Sequence, residues 1–120
     1  MDIFNKESLM AMKPTIRWPG VSGKEYVYFI YPRGTHFDEG QAGNYIHAVE
    51  TSPGRFRPVY IGQTMDLNRR LTTHDQQDCV DSRGATHVHV HVNAGESARL
   101  TEEEDLIRRW QPACNTQYCS

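Results

Sequence analysis

Valine and histidine alternate with period two in HVHVHV, residues 87–92. Val88, Val90 and Val92 therefore share one face of a predicted strand, and His87, His89 and His91 the other, polar face. YVYFIYP, residues 26–32, is aromatic and β-branched and stops at a proline, which predicts a second strand running into a glycine-rich turn region that ends near Gly43. NYIHAVE (44–50) and RPVYIG (57–62) flank TSPGRF, where Ser52-Pro53-Gly54-Arg55 has the residue order of a type II turn, so the two segments predict a hairpin. With Pro53 and Gly54 at its centre, Tyr60 pairs opposite His47, and Tyr45 lies diagonally on the same face; a slip of one residue would turn Tyr45 away. After Gly62 the period changes: Thr64 is placed to cap a helix with Leu67 and Leu71 one turn apart, fading near Gln77 into a loop through Gly84. Ser97 to Trp110 reads as the last helix, with Leu100, Ile107 and Trp110 on its apolar stripe and Pro112 as its stop. Residues 1–24 are polar and broken by Pro14, Pro19 and Gly20, the pattern of a loosely ordered arm with one short helical turn.

Composition narrows this picture. A chain of 120 residues with 38% hydrophobic content has room for one core. The formal net charge of −2 means that contact with a polyanion has to come from a local basic patch, since the field of the whole molecule slightly repels phosphate. No long apolar run opens the chain, so neither a signal peptide nor a membrane span is expected, and a cytoplasmic location is. Cys79, Cys114 and Cys119 are odd in number and widely scattered, which predicts reduced thiols.

Candidate chemistry lies in residues that break the rule of their own element. Glu103 follows Leu100 by three and precedes Ile107 by four, so it falls within the apolar stripe, whereas Glu102, Glu104 and Asp105 are expected to point elsewhere. An inward carboxylate needs a cation or a metal beside it; the plainer alternative is a wet stripe edge from which Glu103 reaches solvent. On the preceding helix Arg70 follows Leu67 by three and His74 follows Arg70 by four, which puts a phosphate-matching guanidinium and a proton-transferring imidazole on one side. Solvated surface charge is the plain reading of the same residues, and a packed core side chain is that of Tyr60. The histidine ladder His87, His89, His91 could hold a transition metal but lacks a fourth ligand, and histidines on the polar face of a half-covered strand need no further account. Arg55, Arg57, Arg69, Arg83 and Arg99 would serve phosphate binding only if the fold clusters them.

These residues also form a pattern. Gly43-Asn44-Tyr45 stands where a GIY element is expected, Tyr60-Ile61-Gly62 is a YIG element, and Arg70 follows Tyr60 by ten. Glu103 with Leu106-Ile107 leads into Pro112-Ala113-Cys114-Asn115, a glutamate helix ending in Pro-x-x-Asn. In these elements, spread over residues 43–115, the chain resembles the GIY-YIG nuclease superfamily. Tyr28 is a second place for the first tyrosine, though it lacks the preceding glycine and leaves a far longer connection. The resemblance implies an α+β fold, a small three-stranded antiparallel sheet flanked by helices with an extra N-terminal strand at 26–32, formed by residues 25–120 behind an arm of residues 1–24. It also implies a metal-dependent endonuclease acting on DNA, leaving 5′-phosphate and 3′-hydroxyl ends. Tyr45, Tyr60, Arg70, His74, Glu103 and Asn115 would be its site residues, and Glu103 the ligand of Mg²⁺ or Mn²⁺. Glu103 would neutralise charge through that ion, Tyr60 or Tyr45 would orient or deprotonate the attacking water, Arg70 would clamp the phosphate, His74 would assist proton transfer, and Asn115 would act from behind the site. A catalytically silent nucleic-acid-binding domain, or a metal- or partner-binding module using the histidine face, are the alternative expectations. Targeting by a partner or a homodimer is left open.

Overall fold

In the computed structural model, which describes residues 14–72 and 77–116, the chain forms an α+β fold built on one sheet. The strands are β1 (Thr15–Pro19), β2 (Glu25–Pro32), β3 (Gly43–Ser52), β4 (Arg55–Thr64) and β5 (His87–Val92). The helices are α1 (Leu67–Thr72), α2 (Gln77–Ser82), α3 (Glu96–Trp110) and α4 (Ala113–Thr116). Strand order is β1-β2-β5-β3-β4, and every neighbouring pair is antiparallel. The expected strand at 26–32 is present as β2, but the sheet has five strands rather than three. The additional one is β1, in a stretch read from sequence as loosely ordered. TIRWP sends Ile16 and Trp18 inward and Thr15 and Arg17 outward, so its alternation is that of an edge strand with one buried face. Trp18 is buried, and deleting such a side chain costs about 3–5 kcal/mol.

Two cores lie on the two faces of the sheet. One gathers Tyr45, Tyr60, Leu67, Val80, Val88 and Val90 beneath α1 and α2. The other gathers Trp18, Tyr26, Tyr28, Ile46, Ala48, Ile61 and Leu106 beneath α3. Residues 77–84, expected as loop, are mostly helix, because Val80 gives α2 a buried anchor. At the end of α3, Gln111 adopts a left-handed conformation (φ 44°) and its N–H returns to the Ile107 carbonyl before Pro112 stops the helix. No helix among the described residues is long and apolar enough to cross a membrane.

The scattered cysteines are not all reduced thiols: Cys79 of α2 and Cys114 of α4 form a disulfide across a sequence separation of 35. Nothing in that spacing announces it, since only the packing of α2 and α4 against the same core brings their Cα atoms to 5.8 Å. Cys119 lies outside the described residues.

Candidate functional site

The β3–β4 hairpin sets the position of both phenols. Tyr60 lies opposite His47 as the turn predicts, but by an unexpected route. The register shifts once between Glu50 and Ser52, where β3 has the extra residue Thr51, and again between His47 and Ala48, where β4 has the extra residue Val59. The two bulges offset each other, restoring the pairing that the Pro53-Gly54 turn sets at Ser52 and Arg55. Tyr45 pairs with Gly62, and a side chain there would meet the Tyr45 ring and hydroxyl at 2.6 Å, so the third residue of the YIG element has to be glycine for the phenol to lie across the strand. The Tyr45 and Tyr60 rings are 6.1 Å apart, centre to centre.

Arg70 closes on this pair from α1. The Asp66 carboxylate accepts from the Arg69 N–H at 3.1 Å, and Asp66 is itself held by the Thr64 hydroxyl, so Asp66 rather than Thr64 caps the helix. One turn on, Arg70 Nε donates to the Tyr45 hydroxyl at 3.0 Å. Burial raises the Tyr45 pKa above its ordinary value; the bond and charge of Arg70 and a hydrogen bond with Tyr60 oppose that rise without cancelling it. Tyr45 therefore keeps its proton near neutrality and serves as a hydrogen-bonding post.

Glu103 is half-buried on α3, close enough for its charge to act on Tyr45 and for Arg70 to act on it. Burial raises its pKa, and the nearby guanidinium pulls it partly back. Among the described residues no three His, Cys, Asp or Glu side chains come together as a metal cluster. A cation here would rest on Glu103, with water and substrate completing its shell, a donor set that suits Mg²⁺, which gives up its waters reluctantly.

Asn115 does not reach into this space. Its amide accepts from the Ile61 N–H at 2.8 Å and donates to the Ile61 carbonyl at 2.9 Å, a two-point grip on the strand immediately after Tyr60. It is a positioning residue for β4. His74 lies outside the described residues.

The opposite face corrects several expectations. Leu100 is 46% exposed, and the inward residues of α3 are Arg99, Glu102 and Leu106, with Ile107 and Trp110 at the margin. Glu102, expected to point away, is 3% exposed. It accepts from the Tyr28 hydroxyl at 2.6 Å and pairs with His91 Nδ1 at 2.9 Å. Asp105 is also engaged, accepting from Ser22 and from the Tyr26 hydroxyl. The histidine face is covered unevenly: His87 and His91 are half-buried, whereas His89 is fully buried and Trp18 Nε1 donates to its Nδ1 at 3.0 Å. Arg99 is no surface contact for phosphate either, being buried and bonded to Gln63 and to the carbonyls of Asn93 and Ala94.

Four of the six expected site residues, Tyr45, Tyr60, Arg70 and Glu103, thus share one neighbourhood, and Asn115 supports it from behind. Sequence reasoning passed over His47 as a member, although alternation along β3 places it on the face of Tyr45, where its ring lies 5.7 Å from that phenol. Comparison of the chain with family profiles, characterised proteins and solved structures gives no match in any of the three.

Proposed function

We propose that this chain is a metal-dependent endonuclease of GIY-YIG type that hydrolyses phosphodiester bonds in DNA. The single observation that carries the reading is the bond from Arg70 Nε to the buried Tyr45 hydroxyl beside Tyr60, with Glu103 near enough to interact electrostatically with both partners of that bond. An ordinary surface arginine has no need of a desolvated phenol, whereas a phosphate clamp needs a guanidinium whose plane is fixed.

In this reading Arg70 grips the scissile phosphate, and its fork is oriented by Tyr45. Tyr45 stays protonated near neutral pH, so its part is to position Arg70, and Tyr60 is left to orient the attacking water. Glu103 would hold Mg²⁺ or Mn²⁺, which when bound supplies charge neutralisation at the phosphate and leaving oxygens. The elevated pKa of Glu103 makes its cation binding weaken as pH falls. Asn115 keeps the strand under Tyr60 in place.

Nicking of supercoiled plasmid tests this. Wild type should nick with Mg²⁺ and stop on addition of EDTA, and Glu103→Ala should be silent while still folded. Cleavage that survives in EDTA or in Glu103→Ala overturns the reading. Salt-sensitive DNA binding without cleavage under Mg²⁺ or Mn²⁺ would leave the silent binding domain in its place.

A further inference from the structure

The face that carries the two phenols continues past them. His47 follows Tyr45 by two residues on β3, and its ring lies 5.7 Å from Tyr45 and 6.4 Å from Tyr60. Beyond it opens a hollow of about 520 Å³, within the range that holds a small organic group. Leu71 and Val88 give it apolar walls; Arg33, Thr35, His47 and Gln77 give it polar edges. Leu71 is the residue next to Arg70, so the phosphate grip and the wall of the hollow are one step apart on α1.

The polar edges select against charge. Arg33 Nη2 is bound to the Asp81 carboxylate at 2.6 Å, so the guanidinium at the rim is already neutralised. Burial, with Arg33 and Arg70 nearby, lowers the His47 pKa to about 4, which leaves a neutral imidazole at pH 7. Its Nδ1 is buried with no hydrogen-bond partner among the described residues. Such a hollow offers little to a phosphate. A flat, uncharged ring with donors and acceptors on its edge matches it: Leu71 and Val88 offer apolar contact, and the imidazole of His47 and the amide of Gln77, whose Nε2 also donates to Asp81 at 3.0 Å, lie at the polar edge.

We infer that this hollow receives a nucleobase turned out of the helix, from the nucleotide next to the phosphate gripped by Arg70. The inference rests on the nucleic-acid substrate proposed above and narrows it: the preferred DNA carries an unpaired or bulged nucleotide beside the cleaved bond. A paired duplex has to unstack that base before it can bind equally well.

The test is anisotropy of labelled duplexes in EDTA, comparing a perfect duplex, one with a single bulged adenosine, and one whose bulge is an abasic sugar. The abasic duplex shares the bend and lacks only the base. Wild type should bind the bulged adenosine at least about tenfold tighter than the abasic bulge, as stacking one base supports. His47→Leu, and Thr35→Trp at the rim, should each shrink that ratio toward one, and Thr35→Trp should do so while leaving affinity for the perfect duplex in place. Equal binding of adenosine and abasic bulges by wild type overturns the inference whatever the variants do, as does a ratio that survives in both folded variants. If wild type nicks DNA in Mg²⁺ but shows no advantage for the base, the nuclease reading stands and the hollow is ruled out. The base advantage without cleavage would keep the hollow and remove the nuclease.

Discussion

Glu102 and Glu103 are consecutive residues of α3 and end in opposite circumstances. Glu102 faces a closed polar network in which Tyr28 and His91 both bind its carboxylate. Glu103 lies within electrostatic reach of a different group, Tyr45 and Arg70, and its own carboxylate is half-buried. The same three residue types, tyrosine, histidine and glutamate, occur in both groups. What differs is the use made of the carboxylate. The Glu102 carboxylate is bonded within the protein by Tyr28 and His91, which makes that group a fastening. Each face also keeps one buried ring nitrogen without a hydrogen-bond partner among the described residues, His89 Nε2 on the first and His47 Nδ1 on the second, so what sets the second apart is the hollow that opens beside His47.

The sharpest way to break this contrast is to exchange the fates of the two glutamates. Glu103→Ala should lose Mg²⁺-dependent nicking by 10³-fold or more, roughly 4 kcal/mol in activation terms, with a thermal midpoint close to wild type. Glu102→Ala should do the reverse, lowering unfolding free energy in urea by about 3–5 kcal/mol because Tyr28 and His91 are left facing a void. If both variants behaved alike, the division of labour on α3 would be wrong. Arg70→Ala comes next, with a loss of about 10²-fold in kcat and a smaller change in stability.

Acid gives a subtler separation. His47 and His89 titrate near 4 in the folded protein, both chiefly through burial, against about 6.5 when unfolded. Between those values the unfolded chain binds protons that the folded one does not. Stability from these groups is therefore complete above about pH 6.5 and declines as pH falls toward 4, by up to about 3 kcal/mol for each histidine. Protonation of His89 also turns its Nδ1 from acceptor to donor and breaks the bond from Trp18. Tryptophan fluorescence followed across that range should move with the loss in stability, and His89→Phe should flatten the fluorescence change but not the contribution of His47. The smallest effect expected is that of Asn115→Ala, about 1–2 kcal/mol in stability from two lost bonds to Ile61, with kcat reduced more than KM because the strand beneath Tyr60 loosens.

Much of this was legible in the sequence. Period-two alternation placed β5, the turn residues placed the hairpin and its register, and the motifs that carry the resemblance picked out Tyr45, Tyr60, Arg70 and Glu103, which lie in one neighbourhood. The errors share a cause. The apolar pattern puts Leu100 on the inner face of α3, but an exposed leucine carries no marker in sequence, and the azimuth is fixed by Leu106 against the sheet and by Arg99 and Glu102 finding polar partners there. The burial of His89 is not legible from HVHVHV because its partner Trp18 lies in β1, about seventy residues earlier in the chain, and no local pattern reports a distant contact. The Cys79–Cys114 bond was hidden for the same reason: pairing depends on tertiary proximity, which spacing does not encode.

The paired bulges of the hairpin bear on how this molecule tolerates change. Thr51 adds a residue to one strand and Val59 adds one to the other. Length is thus balanced between the two arms before the chain reaches Tyr60. Deleting Val59 alone would rotate the rest of β4 by half a pleat, sending the phenol at 60 through to the Trp18 side and Ile61 in the other direction. Deleting Thr51 together with Val59 would remove both offsets and keep the phase. Loss of one and recovery with both would show that the hairpin counts residues in pairs, and that the reach of a hydroxyl can depend on a threonine far from it.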